Sequence, residues 1–201
     1  MRIGLLGGSF DPVHVAHLAL ARTALSALSL DQVQLIPAGQ PWQRAPLSAL
    51  SEHRLAMLKL AIGQEKNIIA NPVEINRNGP TYTIDTIRDL PPGHEYFWIL
   101  GADQLQNFCT WREWAEIAKR VQLVVAARPG SNAIAPAELS EWMQTHQKPL
   151  IHLPFEPLNI SANEIRQRIA QGTAISQFIP KSVETYISEH GLYRQHMTDR
   201  T

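Results

Sequence analysis

The sequence has a single cysteine and no surplus of charge of either sign. Cys109 has no second cysteine to pair with, so an intramolecular disulfide is excluded, as expected in a reducing compartment. Lys and Arg together number 18, as do Asp and Glu, and the formal net charge is zero. Electrostatic binding of DNA or RNA needs a basic surplus, so we expect no nucleic-acid partner. A local basic pocket for phosphates remains compatible with this balance.

Long hydrophobic runs are also missing. The N-terminal run, Ile3–Leu6, is too short for the core of a signal peptide and leads straight into glycines. No stretch approaches the roughly 20 apolar residues of a membrane-spanning helix. We therefore predict a cytoplasmic protein without a membrane partner. The 201 residues suffice for one packed domain, and we expect a single domain over 1–201 with a disordered tail at 195–201.

Short apolar runs alternate with helical patterns along the chain. Most of the runs end in Gly, Pro or Asn, as buried strands do. They cover Ile3–Leu6, Val33–Ile36, Ile68–Ala70, Phe97–Leu100, Leu123–Ala127 and Leu150–Leu153. Helical spacing predicts helices over Val15–Leu28, Ser51–Ile62, Thr83–Leu90, Trp111–Lys119, Ser161–Gln171 and Lys181–His190, with a short one around Glu138–Gln144. This alternation predicts an α/β fold of Rossmann-like, doubly wound type. It has a parallel sheet, helices on both faces and a C-terminal helical extension.

Two familiar phosphate-binding signatures are absent. The glycines of the first predicted strand do not form G-x-G-x-x-G, and no G-x-x-x-x-G-K-[ST] occurs. The strand leads instead into Gly7-Gly8-Ser9-Phe10-Asp11-Pro12-Val13-His14-Val15-Ala16-His17. Glycines let backbone amides approach a phosphate closely, and the start of the next helix carries a partial positive charge. The pattern therefore predicts an anion site between the first strand and the first helix.

His14 and His17 are three residues apart, so both can face the same pocket. A zinc site would favour the four-residue spacing of H-E-x-x-H and a third ligand, and a serine or cysteine nucleophile has no partner motif here. Phosphate chemistry remains, because imidazole N–H groups can stabilise the charge on a phosphoryl group under attack. The alternative is a tight structural turn with two solvated histidines.

A second motif, Ile160-Ser161-Ala162-Asn163-Glu164-Ile165-Arg166, begins a later helix. Ser161 and Glu164 have the spacing of a capping box, and Ile160 and Ile165 that of a hydrophobic staple. Arg166 is unfavourable there, because a cation in the first turns opposes the helix dipole. A bound anion would remove the conflict, so we predict that Ser161 and Arg166 hold phosphates.

These two motifs together resemble the G-G-[ST]-F-D-P-x-H-x-G-H and I-S-x-x-x-I-R signatures of the HxGH nucleotidyltransferases. The stretches Arg77–Thr86, Leu100–Leu105, Thr110-Trp111 and Arg128-Pro129-Gly130 are similar to the bacterial nicotinate-nucleotide adenylyltransferases within that superfamily. The resemblance runs from about Ile3 to Tyr193. It implies ATP with Mg²⁺ and nicotinate mononucleotide as the second substrate. The products would be deamido-NAD and pyrophosphate, formed by direct attack without a covalent intermediate, in NAD biosynthesis.

The resemblance also implies roles for particular residues. The catalytic residues would be His14, His17 and Arg166. The residues that bind ATP would be Gly7, Gly8, Ser9, Phe10, Asp103, Arg128, Ser161 and Arg44. The residues that bind the mononucleotide would be Tyr82, Thr83 and Trp111, with Trp111 offering a face to the pyridine ring. No metal-binding side chain is implied, and no oligomeric state.

Two positions depart from the family pattern. Ala16 replaces the glycine between the two histidines, and Gln40-Pro41-Trp42-Gln43-Arg44 replaces Pro-Pro-His-[KR]. Arg44 keeps the basic charge of that loop, while Gln43 stands at the histidine position. Two rival functions remain open: an adenylyltransferase for phosphopantetheine, which shares the first motif, and a nucleotide sensor without turnover.

Overall fold

The computed structural model of the protein describes residues 1–41, 46–127, 133–156 and 158–194. Its strands are β1 (Arg2–Gly8), β2 (Gln32–Pro37), β3 (Gln40–Pro41), β4 (Ile68–Ala70), β5 (Pro80–Thr81), β6 (Glu95–Gly101), β7 (Gln122–Ala127) and β8 (Ile151–Pro154). Its helices are α1 (Val15–Ala27), α2 (Ser51–Ile62), α3 (Thr83–Arg88), α4 (Ala102–Gln106), α5 (Trp114–Arg120), α6 (Ala137–His146), α7 (Ala162–Ala170) and α8 (Lys181–Glu189). A short 3₁₀ helix, Phe108–Thr110, lies between α4 and α5.

Six strands form one parallel sheet in the order β4-β2-β1-β6-β7-β8. In chain order of these strands this is 3-2-1-4-5-6, the arrangement of the doubly wound fold. The winding reverses between β1 and β6, which are hydrogen-bonded neighbours. A crevice opens at the carboxyl ends of two strands where the winding reverses, and this is where such folds bind ligands. The small pair β3–β5 is also parallel and lies outside the main sheet.

Apolar residues cover both faces of the sheet. Leu5 of β1 and Val125 of β7 belong to one hydrophobic cluster, whereas their neighbours Leu6 and Val124 belong to the other. Residues of α1, α2, α7 and α8 complete one cluster, and residues of α3, α4, α5 and α6 complete the other. A strand buried on both faces reads as a continuous apolar run, which explains the six runs in the sequence.

The predicted fold class is confirmed, and all six predicted strands of the main sheet are present. The helix predicted over Trp111–Lys119 begins later, at Trp114, because Trp111 is extended and Glu113 takes a left-handed conformation at φ 53°. The helix predicted around Glu138–Gln144 is present as α6. The C-terminal extension packs through α8 on α2. The predicted tail at 195–201 lies outside the described residues.

Candidate active site

The loop after β1 forms one wall of a cavity of about 500 Å³ at the carboxyl ends of β1 and β6. Gly7 and Gly8 at the end of β1 and Ser9 directly after it, together called the glycine loop, line the cavity, and Asp103 lines it from the first turn of α4. These are four of the predicted ATP-binding residues, and the parallel pairing of β1 with β6 brings them together from distant parts of the chain. The cavity therefore occupies the place where the winding of the sheet reverses.

There is little room for a side chain at Gly7 and Gly8. A Cβ atom added to Gly7 would lie 3.2 Å from the ring of Trp98, and one added to Gly8 would lie 3.1 Å from the ring of Phe10. The predicted ATP-binding residue Phe10 is itself fully buried. Its ring contacts His17 edge-on, with the ring centroids 4.8 Å apart. The side chain of Phe10 thus packs against Gly8 and His17, and none of its surface is exposed for contact with ATP.

His14 and His17 stack on each other, with their ring centroids 3.7 Å apart and their planes inclined by 29°. The backbone N–H of His14 donates to Nδ1 of His17 over 3.2 Å. Because Nδ1 of His17 accepts this bond, the neutral ring carries its proton on Nε2. The Nδ1 atom of His14 is buried and has no hydrogen-bond partner within the described part of the chain.

Both imidazoles are neutral at physiological pH. Burial lowers the pKa of His14 from 6.5 to about 4. Burial also lowers the pKa of His17 well below 6.5, and the charge of a protonated His14 would lower it further. The pair can therefore act as hydrogen-bond donors toward a phosphate, but neither ring adds a full positive charge.

The start of α1 has fewer free amides than the sequence predicts. The N–H of Val15, the first residue of α1, donates to the carbonyl of Phe178 over 2.9 Å, and the N–H of His17 bonds to the carbonyl of His14. The C-terminal segment therefore already uses the amide of Val15, while the anion site expected at this turn stays a prediction.

Asp11, inside the first motif, organises a buried polar network that the motif alone does not reveal. Its carboxylate accepts hydrogen bonds from the backbone N–H groups of Ser48 (2.7 Å) and Ala49 (3.1 Å) and from the hydroxyl of Tyr193 (2.7 Å). Because these three donors occupy it, the Asp11 carboxylate is held in place between distant segments of the chain.

Arg54 is the second buried charge behind the loop. Only 1% of it is exposed, and its guanidinium donates to the carbonyls of Ala49, Ser9 and Gly39. Helical spacing alone gives Arg54 no sign of burial, since it lies on α2 among alternating polar and apolar residues. Its contact with the carbonyl oxygen of Ser9, at 2.9 Å, ties α2 to the glycine loop.

Arg166 reaches the same loop from α7. Its Nη1 donates to the carbonyl of Asp11 over 2.7 Å, and its Nη2 lies 3.3 Å from Oδ1 of Asn163. Three predicted catalytic residues, His14, His17 and Arg166, are thereby placed around one loop. Ser161 is exposed and caps α7, accepting a hydrogen bond from the N–H of Glu164 over 3.1 Å.

The other end of the cavity is aromatic. The predicted substrate-binding residues Tyr82, Thr83 and Trp111 all line it, together with Trp98. The ring of Trp111 is wedged against Phe108 and Trp98, with centroids 5.3 and 6.4 Å away. Both neighbours are buried, so Trp111 is held in a fixed orientation while it is itself only half-buried.

Glu74 is a wall residue that no sequence motif indicated. It lines the cavity yet is only 8% exposed, and its carboxylate accepts a hydrogen bond of 2.9 Å from the hydroxyl of Thr86. Burial raises its pKa, and the bond from Thr86 opposes that shift. Gly39 packs directly on this segment, because an added Cβ would lie 2.3 Å from the carbonyl oxygen of Glu74.

Two predicted ATP-binding residues, Arg44 and Arg128, lie outside the described residues. Within the ranges that are described, no three His, Cys, Asp or Glu side chains are grouped so as to hold a metal ion. No helix in those ranges is long and apolar enough to cross a membrane.

The fold and the site define a cytidylyltransferase-like protein: the profile of that family matches residues 5–168. Within it, the chain belongs to the nicotinate-nucleotide adenylyltransferase family. It is 60% identical over 193 residues to a Bordetella petrii protein named "Probable nicotinate-nucleotide adenylyltransferase", covering 96% of this chain and 99% of the relative. A Thermus thermophilus protein of the same name is 38% identical over 197 residues, covering 96% of this chain and all of the relative.

A solved structure is similar in fold. The nicotinic acid mononucleotide adenylyltransferase of Plasmodium falciparum, complexed with NaAD, superposes with a TM-score of 0.73. The match covers 96% of this chain and 97% of the other, at 20% sequence identity. The likeness therefore extends through the C-terminal helices as well as the sheet.

Proposed function

We propose that this chain transfers the adenylyl group of ATP to the phosphate of nicotinate mononucleotide, giving nicotinate adenine dinucleotide and pyrophosphate. The observation that carries the proposal is one cavity with two different ends. Gly7, Gly8 and Ser9 line one end, and Trp98, Trp111 and Tyr82 form a wall at the other. The stacked histidines and Arg166 are not among the residues that line the cavity, but they lie on the segment that directly follows Ser9 or contact it. A triphosphate suits the first end and a pyridine ring suits the second.

The reaction needs no nucleophile from the protein. An oxygen of the mononucleotide phosphate attacks the α-phosphorus of ATP in line. The bond from that phosphorus to the oxygen bridging to the β-phosphate breaks, and pyrophosphate leaves with the bond electrons. The mononucleotide phosphate is already an anion and a competent nucleophile, so positioning and charge stabilisation supply the catalysis.

The predicted residues divide this work. The Nε2–H of His17 donates to an oxygen of the transferring phosphate, and His14 contacts the triphosphate. Arg166 and Ser161 hold the β- and γ-phosphates, and Gly7, Gly8, Ser9 and Asp103 line the nucleotide. Arg44 and Arg128 remain predictions from the resemblance.

Mg²⁺ is proposed as part of the substrate, bound by the phosphates of ATP. Mg²⁺ keeps most of its water ligands and binds few protein carboxylates where phosphates are present. The Asp11 carboxylate is already occupied by three donors, so it is a poor metal ligand. We further propose that the protein works in the cytoplasm, a reducing compartment that suits its single cysteine.

Pyrophosphate release tests the proposal against its two rivals. The purified chain is mixed with Mg-ATP and, in turn, with nicotinate mononucleotide, nicotinamide mononucleotide or phosphopantetheine. We expect the fastest release with the nicotinate compound. Release only with phosphopantetheine would establish the rival adenylyltransferase, and ATP binding with no release from any acceptor would establish a sensor.

A further inference from the structure

Among the described residues that line the cavity, one basic side chain lies at the aromatic end. Among its described lining residues, three have ionisable side chains with a full charge at neutral pH in water: Glu74, Asp103 and Arg112. Glu74 is buried in the wall and held by Thr86. Arg112 is therefore the basic side chain that a ligand in this part of the cavity would meet.

The position of Arg112 is defined by an aromatic contact. It directly follows Trp111, and its guanidinium carbon lies 4.8 Å from the centre of the Tyr82 ring. A guanidinium over an aromatic face at this distance is attracted by the ring quadrupole. Arg112 is thus held beside the two aromatic residues assigned to the pyridine ring, although its side chain is 54% exposed.

Arg112 forms only a long ion-pair contact with its acidic neighbour Glu113. The nearest oxygen of Glu113, Oε1, is 3.9 Å from Nε of Arg112, longer than a hydrogen bond. Glu113 instead accepts two hydrogen bonds from Arg88, of 3.2 and 2.5 Å. The two hydrogen bonds to Glu113 thus come from Arg88, and within the described residues Arg112 donates no hydrogen bond to a protein acceptor. Its N–H groups can therefore donate to a ligand in the cavity.

We propose that Arg112 determines the preference of this enzyme for a pyridine ring bearing a carboxylate over one bearing a carboxamide. This inference rests on the proposed function, which places the pyridine ring on Trp111. A carboxylate next to Arg112 accepts charge-assisted hydrogen bonds, which are about twice as strong as neutral ones. A carboxamide offers one neutral acceptor, and its NH₂ group would face a cation that cannot accept.

The test is the binding of both mononucleotides, measured by calorimetry and thus independent of turnover. The proteins are the wild type, R112Q, R112K and, as a matched control, R120Q. Arg120 is also exposed and pairs with Glu116 on α5, outside the cavity lining. We expect R112Q to raise the dissociation constant of the nicotinate compound about tenfold and that of the nicotinamide compound less than about twofold. The dissociation constants of R112K should lie between those of R112Q and the wild type, and those of R120Q should match the wild type.

Parallel turnover assays separate this inference from the proposed function. The ratio of kcat/KM for the acid to that for the amide should fall by about the same tenfold in R112Q. An equal loss of affinity for both compounds would show that Arg112 contacts the ribose phosphate that they share. An unchanged ratio of kcat/KM values would show that Arg112 has no role in selectivity. Either result overturns the inference. Selective loss of acid binding without any adenylyl transfer by the wild type would overturn the proposed function and leave the inference standing.

Discussion

The hydroxyl of Tyr193 donates a hydrogen bond of 2.7 Å to Oδ1 of Asp11, across 182 positions of the sequence. Burial, followed by the negative charge of Asp11, raises the pKa of Tyr193 far above its ordinary value. The hydroxyl therefore stays protonated and acts as the donor. The bond joins the segment after α8 to the loop that precedes the histidine pair, so the C-terminal extension helps to shape the active site.

Removal of this bond should cost more than removal of a similar neutral bond. We expect Y193F to lower the free energy of unfolding by about 1.5–3 kcal/mol, because the acceptor is a charged carboxylate. Y186F is the matched control: Tyr186 is also half-buried in the C-terminal region, and its hydroxyl bonds to Nδ1 of His53 at 3.0 Å. That variant should lose about 0.5–1.5 kcal/mol. Urea denaturation compares the two, and a larger loss for Y186F would contradict the prediction.

His17 should act mainly in the transition state. We expect H17A to lower kcat about a hundredfold or more while KM for ATP changes little, because the Nε2–H donor is lost. H17N separates this role from support of the loop. Its amide oxygen can still accept from the N–H of His14, as Nδ1 does over 3.2 Å, but it lacks a donor at the Nε2 position.

H17N should therefore be as slow as H17A, whereas H17Q, which can place a donor near the Nε2 position, should recover part of the rate. H53A is the control, because His53 bonds to Tyr186 between α2 and α8. Steady-state kinetics with Mg-ATP decide the matter. Full activity in H17N would show that His17 serves only to hold the loop.

Arg166 should matter more for the ligand than for the fold. R166A loses the bond to the carbonyl of Asp11 but also removes a cation from the first turns of α7, so we expect a change of at most about 1 kcal/mol in the apo protein. The rise in Tm on adding Mg-ATP should largely disappear. R168A is the control on the same helix, since Arg168 pairs with Glu164. A large apo destabilisation in R166A would instead indicate a structural residue.

The histidine pair should make stability depend on pH. His14 has a pKa of about 4 in the folded protein against 6.5 for the ordinary group. Between these values the unfolded chain binds a proton that the folded chain excludes, so stability is full above about pH 6.5 and falls as the pH drops toward 4. The loss from His14 alone is about 3 kcal/mol, and the lowered pKa of His17 adds in the same direction.

Urea denaturation at several pH values between about 7 and 4 measures this loss. H14N cannot titrate at that position, so its stability should fall less steeply over the same interval. A wild type and H14N with parallel pH profiles would show that His14 is protonated in the folded state and that burial does not lower its pKa.

The sequence by itself determined the sheet, the two motifs and the family. Strands buried on both faces must be apolar throughout, so strands such as β1 and β7 could be predicted from apolar runs in the sequence. The alternation of these runs with helical patterns indicated a parallel sheet. The Gly7–His17 and Ile160–Arg166 patterns could be interpreted from local sequence alone. Glycines before a helix, or a cation in its first turns, are unusual without a ligand, so both patterns indicated phosphate binding. The predicted start of α5, Trp111, is only three residues before the observed start at Trp114, and the difference arises where Glu113 takes a left-handed conformation.

Only the tertiary structure decided which distant residues meet. Arg54 and Tyr193 look like ordinary helix and tail residues in sequence, because nothing local says that their polar groups converge with Asp11 behind the glycine loop. Arg112 and Glu113 are adjacent in sequence, yet the hydrogen bonds to the Glu113 carboxylate come from Arg88 of α3, while Arg112 makes only a 3.9 Å ion-pair contact with it. Pairing of charged groups depends on distance in space, and that distance is set by the packing of helices on the sheet rather than by separation along the chain.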